Sequence, residues 1–228
     1  MHTTDTVLLK MDHYVAKWKK SNDSRHVFLS CYHMMSTNMN KALSNKEFHD
    51  TAWVNNLLNH FADYYFNSLV CYDCGEKTPV VWLNAHSACK EKNLSELQLL
   101  VLGVNAHINY DLVLAIYDML RPEWDSLSDA KKEERYQDHS HVNQIIAQTI
   151  DQVQDEILEP MNPSLDWIDK LFGRLDEFII SKLITSWREE VWENTQKLLQ
   201  LEKLEEREQF RKKIERNVLS TGETISLF

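Results

Sequence analysis

Between Leu94 and Leu120 the chain runs LSELQLLVLGVNAHINYDLVLAIYDML, and only Glu96, Asp111 and Asp118 carry formal charge there. The stretch is long enough for about seven helical turns. An apolar run this continuous reads as a helix buried on most sides, so any fold this chain adopts has to wrap around it. The same run carries Asn105, His107, Asn109 and Asp111 close together. Burying such groups is costly unless they find partners, and the carboxylate is the most costly of them. A core helix that keeps all four is expected to form the wall of a polar site.

The rest of the sequence favours an all-α wrapping. Four Gly and four Pro in 228 residues are too few for the turns of an all-β protein. Seven Trp, eight Tyr and eight Phe, within a 43% hydrophobic composition, supply a sizeable core. The expectation is a single-domain bundle of about seven or eight helices around residues 94–120. Residues 1–204 make up the domain, and 205–228 a charged helical extension and tail that could meet a protein partner or a second copy. The formal net charge of −10 argues against non-specific nucleic-acid binding, which needs a basic surface. The N-terminal MHTTDTVLLKMDHYVAKWKK has scattered charges and no apolar core of signal-peptide length. The polar cluster in 94–120 favours a core helix over a membrane span. Cys31, Cys71, Cys74 and Cys89 fit free thiols in a reducing compartment, so the expected location is cytoplasmic.

Taken in order, residues 5–19 read as a first helix. In the second, Phe28, Cys31, Tyr32, Met35, Met39 and Ala42 form an amphipathic stripe. Asp50 caps a third helix that runs to about residue 70, with Asn56, His60, Asp63 and Asn67 as a polar row beside its apolar side. That row is either a solvated flank or a face that turns His60 and Asp63 toward the central cluster. Pro79 opens a short helix through Cys89. Cys71-x-x-Cys74 followed by His86-x-x-Cys89 is a grammatical four-ligand zinc pattern, although a helical domain of this size needs no metal staple. Asn93 with Glu96 reads as the cap of the central helix. Residues 123–137 read as a short helix or surface connection, and from Asp138 an amphipathic helix, marked by Val142 to Ile157, has His139 and His141 in its first turn. Pro160 and Pro163 break the chain. Ser164 with Trp167, Ile168, Leu171, Phe172 and Leu175 then opens a helical region reaching about residue 218.

His107 and Asp111 stand four residues apart and leave one face of a helix. Three readings stay open. The carboxylate can orient the imidazole as a general acid–base pair. Both can ligate a divalent zinc, iron or manganese ion, with His60, Asp63, His139 and His141 as further ligands. Or the pair is a satisfied polar network in the core. Asn105 and Asn109 form a second pair, displaced around the helix, suited to orienting a substrate. Gly103 permits a close approach by a neighbouring helix or a ligand. Arg188 and Trp192, four apart with Trp187 beside them, can stack guanidinium on indole and bind an anionic or flat ligand. Alternatively Arg188 ties the last helix to a core carboxylate such as Asp111. No His-Glu-x-x-His, phosphate-binding glycine loop, nucleophile elbow or dinucleotide fingerprint is present.

LVLGVNAHINYDLVLAI at 100–116 resembles the signature Asn-Ala-His-Ile-Asn-x-Asp-Leu of a mostly bacterial family of domains of unknown function. Weaker echoes lie at Tyr32–Thr37, at HFADYYFNSL (60–69), at Asp138 with Val142-Asn143, and at Arg188-x-x-x-Trp192. The resemblance covers about 25–200 and implies an all-helical single domain with Asn105, His107, Asn109 and Asp111 as its matching positions. Val113 stands where that pattern has proline, the cysteines fall outside it, and the charged extension after about 204 looks peculiar to this chain. His-x-x-x-Asp on a buried helix is also similar to part of the ligand set of all-α zinc-dependent phospholipases, a likeness of fold level only. The function expected first is hydrolase-like chemistry on a small organic or lipid-like substrate by His107 and Asp111. A non-catalytic ligand-binding or protein-interaction module is the alternative. A lyase or cyclase of small-molecule biosynthesis is the third, and it requires an apolar, aromatic pocket beside the cluster.

Overall fold

The computed structural model describes residues 4–91, 94–158 and 175–227. Among them there are eight helices and no strand. They are α1 (Thr4–Ser21), α2 (Arg25–Ser44), α3 (Thr51–Cys74), α4 (Val80–Ala88), α5 (Glu96–Leu120), α6 (Asp129–Val153, continued by a π-helical turn Gln154–Leu158), α7 (Leu175–Gln200) and α8 (Leu204–Ser226). The all-α bundle around a central helix is the observed architecture. Pro160, Pro163, Ser164, Trp167, Ile168, Leu171 and Phe172, with the helix start read there, lie outside the described residues, as does Asn93.

Local chemistry sets the helix ends. Asp50 caps α3 by accepting the Trp53 N–H at 2.9 Å, and Gly75 closes it in the left-handed region at φ +70°. α5 starts with a reciprocal capping box of Ser95 and Gln98, two residues beyond the expected one. α6 starts at Asp129, where the Ser128 side chain accepts the Lys131 N–H. His139 and His141 therefore sit well inside a long helix rather than in its first turn, because Ser128 offers a cap earlier than the apolar periodicity begins.

The bundle is built around α5. Val113, Ala115 and Ile116 are fully buried, with Leu120 close to it. This helix is apolar and long enough to cross a membrane, yet most of it is enclosed by the other helices. α2 packs on α1, α5 and α6; α7 packs on α6 and the second half of α5; α8 packs on α4 and the first half of α5. Gly103 explains the α2–α5 approach: a Cβ there would sit 2.5 Å from Cγ of Phe28. Midway along α5 the α-helix opens into a π-helical turn, His107–Leu112, before resuming at Val113. Such widened turns recur at functional sites because they re-aim the side chains they carry.

α8 departs from a solvated arm. Its charged face is exposed, but Ile214, Val218 and Gly222 are buried, and the Asn105 side chain donates to the Val218 carbonyl at 2.9 Å.

Candidate functional site

The π-helical turn carries the pair that the sequence singles out. His107 Nδ1 lies 2.9 Å from Asp111 Oδ2, and Trp82 Nε1 of α4 donates to the same oxygen at 2.8 Å. His107 is 3% exposed and Asp111 1%. Burial disfavours a charge on either partner: it holds the His107 imidazole well below its usual range and the Asp111 carboxyl well above its own, with the Trp82 hydrogen bond opposing the latter shift. Aromatic rings enclose the imidazole. Phe61 stacks on it at 3.6 Å between centroids and 7° between planes, and Tyr32 meets it edge-on at 4.5 Å. After all these contacts one polar atom is left over: His107 Nε2 is buried and has no hydrogen-bond partner.

That ring stands on the wall of a partly open cavity of about 240 Å³ walled by α2, α3, α5, α6 and α7. Asp111 and Trp82 are not part of the wall, so the carboxyl group holds the imidazole from behind. The lining is almost wholly apolar, with Phe28, Tyr32, Phe61, Val104, Ile108 and Trp187 typical of it. Cys31 also lines the cavity, and burial pushes its thiol up to about 12, which keeps it un-ionised and a poor nucleophile.

At the α6–α7 side, Asp138, His139 and Arg188 reach the same wall. His139 is 2% exposed, and its Nε2 is 2.9 Å from the Arg188 carbonyl. Since a carbonyl only accepts, Nε2 carries the hydrogen and Nδ1 is the acceptor that faces Arg188 Nη2 at 3.3 Å. Burial and then the Arg188 charge hold this imidazole neutral. Arg188 Nη2 donates to the His139 carbonyl at 2.6 Å, and Nε to Asn143 Oδ1 at 2.8 Å. Asp138 accepts the backbone N–H groups of His49 and Asp50 at 2.7 and 2.9 Å.

Several expected site residues are placed elsewhere. Asn105 and Asn109 do not line this cavity. Asn109 Nδ2 donates to Asn105 Oδ1, and Asn105 passes the chain on to Val218, so the pair joins α5 to α8. Arg188 neither stacks on Trp192 nor reaches Asp111, because its Nε and Nη2 are held by Asn143 and His139; Trp192 instead packs against His139, 5.3 Å between centroids. His60 pairs with Asp118 at 3.1 Å, beside the Tyr64 hydroxyl, about three turns beyond His107. Asp63 is exposed, and His141 reaches Glu47 at 3.4 Å. Hence His60, Asp63, His139 and His141 do not converge on His107 and Asp111. Nor do Cys71, Cys74, His86 and Cys89 assemble: His86 stacks on Trp82, the Cys89 thiol donates to the Ala85 carbonyl, and Cys74 is exposed. Among the described residues no three His, Cys, Asp or Glu side chains are grouped to hold a metal ion.

Sequence reasoning missed the cavity itself and the part Asp138 plays at its wall. The α2 stripe was visible as an apolar face, but nothing in its periodicity shows that it stops short of filling the space it faces.

The model of one family, Family of unknown function (DUF5995), matches residues 4–227. The match runs through the charged C-terminal helix, which is therefore not peculiar to this chain. No curated protein and no solved structure matches.

Proposed function

The chain belongs to this family of unknown function, and we propose that it binds a small, mainly apolar molecule in the central cavity, with His107 as the polar contact. The observation that carries this reading is the unpartnered Nε2 of a 3% exposed imidazole on the wall of an apolar cavity. Buried polar groups are ordinarily satisfied, and although His86 Nε2 is also buried and unpartnered, that of His107 belongs to a ring on the cavity wall. A ligand that offers one hydrogen-bonding group among apolar surface satisfies it.

A catalytic role is the second reading, favoured by the order Trp82–Asp111–His107, in which a carboxyl group fixes Nδ1 and leaves Nε2 for proton transfer. Hydrolysis needs water beside His107. An aromatic, apolar wall suits proton transfer in an elimination or cyclisation better, so the lyase or cyclase alternative gains over the hydrolase one.

The test is a matched pair of probes, naphthalene and 1-naphthol, followed by saturation-transfer NMR and titration. Both should bind. Val104→Phe, which fills the cavity, should remove both. His107→Phe, which keeps the ring but not the nitrogen, should cost 1-naphthol its advantage, about three- to tenfold by the worth of one buried hydrogen bond. Binding of neither probe, or binding indifferent to Val104→Phe, defeats the reading.

A further inference from the structure

Arg188 is 5% exposed, and no carboxylate forms an ion pair with it among the described residues. Its partners are neutral: the Asn143 amide, the His139 carbonyl and the His139 imidazole. Nη1 takes no partner there. The two oxygens of Asp138, an acid on the same wall, are turned to the amides of His49 and Asp50. Burial lowers the guanidinium to about 10 against the through-space attraction of Glu189, so the group still carries its charge at neutral pH. The Glu189 carboxylate accepts from the Tyr136 hydroxyl and forms no ion pair with Arg188. Buried charges are ordinarily paired. The other buried arginine among the described residues follows that rule: Arg135, 6% exposed, lies 2.8 Å from Asp50 and 3.3 Å from Glu123, with its guanidinium over Trp53.

We propose that the counter-charge that the described residues do not supply to Arg188 is the ligand, and that the cavity takes a monocarboxylic acid with an apolar body. This deepens the binding reading above and rests on it. A single cation balances a single negative charge, and a carboxylate suits one free guanidinium nitrogen through a charge-assisted hydrogen bond. A phosphate monoester, with about two negative charges, would leave one unbalanced among apolar groups. The size follows from the cavity: at about 30 Å³ of liquid per water-sized group, its volume holds at least about eight non-hydrogen atoms. A medium-chain or one-ring aromatic acid fits that space.

The experiment compares octanoate with 1-octanol, alike in length and apolar area, by titration calorimetry near neutral pH. Wild-type protein should bind octanoate at least about tenfold more tightly than 1-octanol. Arg188→Met should abolish that preference while leaving 1-octanol bound. Equal affinity in wild type overturns the proposal but leaves the apolar binding site standing. A preference that survives Arg188→Met also overturns it. Binding of neither compound overturns the proposal and the binding reading together. Because Arg188 ties α7 to α6, Arg188→Lys replaces the methionine variant if that one does not fold. The displaced charge should then narrow the preference, and an unchanged preference again counts against the proposal.

Discussion

Asn105–Asn109 and His107–Asp111 are two polar pairs with the same four-residue spacing, interleaved on one helix. Their surroundings treat them oppositely. The amide pair is a relay: Asn109 donates to Asn105, which donates to the α8 backbone. The His–Asp pair also closes on itself and on Trp82, yet it turns an unpartnered nitrogen to the wall of a cavity. Polarity in a core helix therefore does not by itself mark a site. What separates the two faces is a hydrogen-bonding atom in surplus combined with space in front of it. The buried arginines repeat the lesson, since among the described residues Arg135 is matched by two carboxylates and Arg188 is paired with none.

The largest effect is expected of Asp111→Ala, which takes the partner from His107 Nδ1 and Trp82 Nε1 in one step. Leaving two buried groups unsatisfied should lower stability by about 3–5 kcal/mol in chemical denaturation. The double variant His107→Phe/Asp111→Leu replaces both partners with apolar groups of similar shape and should lie closer to wild type than Asp111→Ala does. If the double loses as much as the single, the pair is not the polar unit that this comparison requires.

His86 sharpens the comparison from another side. Its Nε2 is also buried and unpartnered, but the ring stacks on Trp82 and takes no part in the cavity wall. Burial holds it at about 3; Arg25 and Lys90 also disfavour its charge, while Asp73 and Asp23 favour it. Below about 6.5 the unfolded chain takes up a proton that the folded imidazole declines. Stability is therefore full above that value and falls as pH drops, by up to about 1.4 kcal/mol per pH unit for this one group. His107 and His139, also held neutral by burial, act with the same sign. Asp111 acts oppositely, because its folded carboxyl keeps a proton that the unfolded chain releases above about 4. His86→Phe should flatten the acid limb of the stability curve and leave 1-naphthol affinity unchanged. A drop in that affinity would show that a surplus nitrogen away from the cavity matters as much as His107.

The fold was legible because its signals are local. The apolar 94–120 run, the Asp50 cap and the scarcity of Gly and Pro each act within a few residues, and the bundle follows from them. The His107–Asp111 contact was legible for the same reason, as a four-residue step on one helix. The partners were not. Trp82 reaches Asp111 from α4, Phe61 covers His107 from α3, and Arg188 meets His139 across two helices. No spacing in the chain encodes those meetings. Arg188-x-x-x-Trp192 shows the hazard: its geometry permits stacking, but a carbonyl and an amide compete for the guanidinium and hold it. The π-helical turn is invisible to an even helical period as well.

The smallest effects separate the two members of the amide relay. Asn105→Ala removes the bond to Val218 and strands the Asn109 amide, so both links of the relay go. Asn109→Ala removes only the second link and should cost about 0.5–1.5 kcal/mol, with Asn105→Ala the more costly of the two. Thermal unfolding resolves that order. Neither variant should change the affinity for 1-naphthol, because the relay faces α8 and the cavity lies on another side of α5. The stability order alone would fit any pair of buried amides. Stability that falls while binding holds is what assigns the relay to the fold, and a variant that kept its stability but lost binding would move Asn105 and Asn109 back to the ligand.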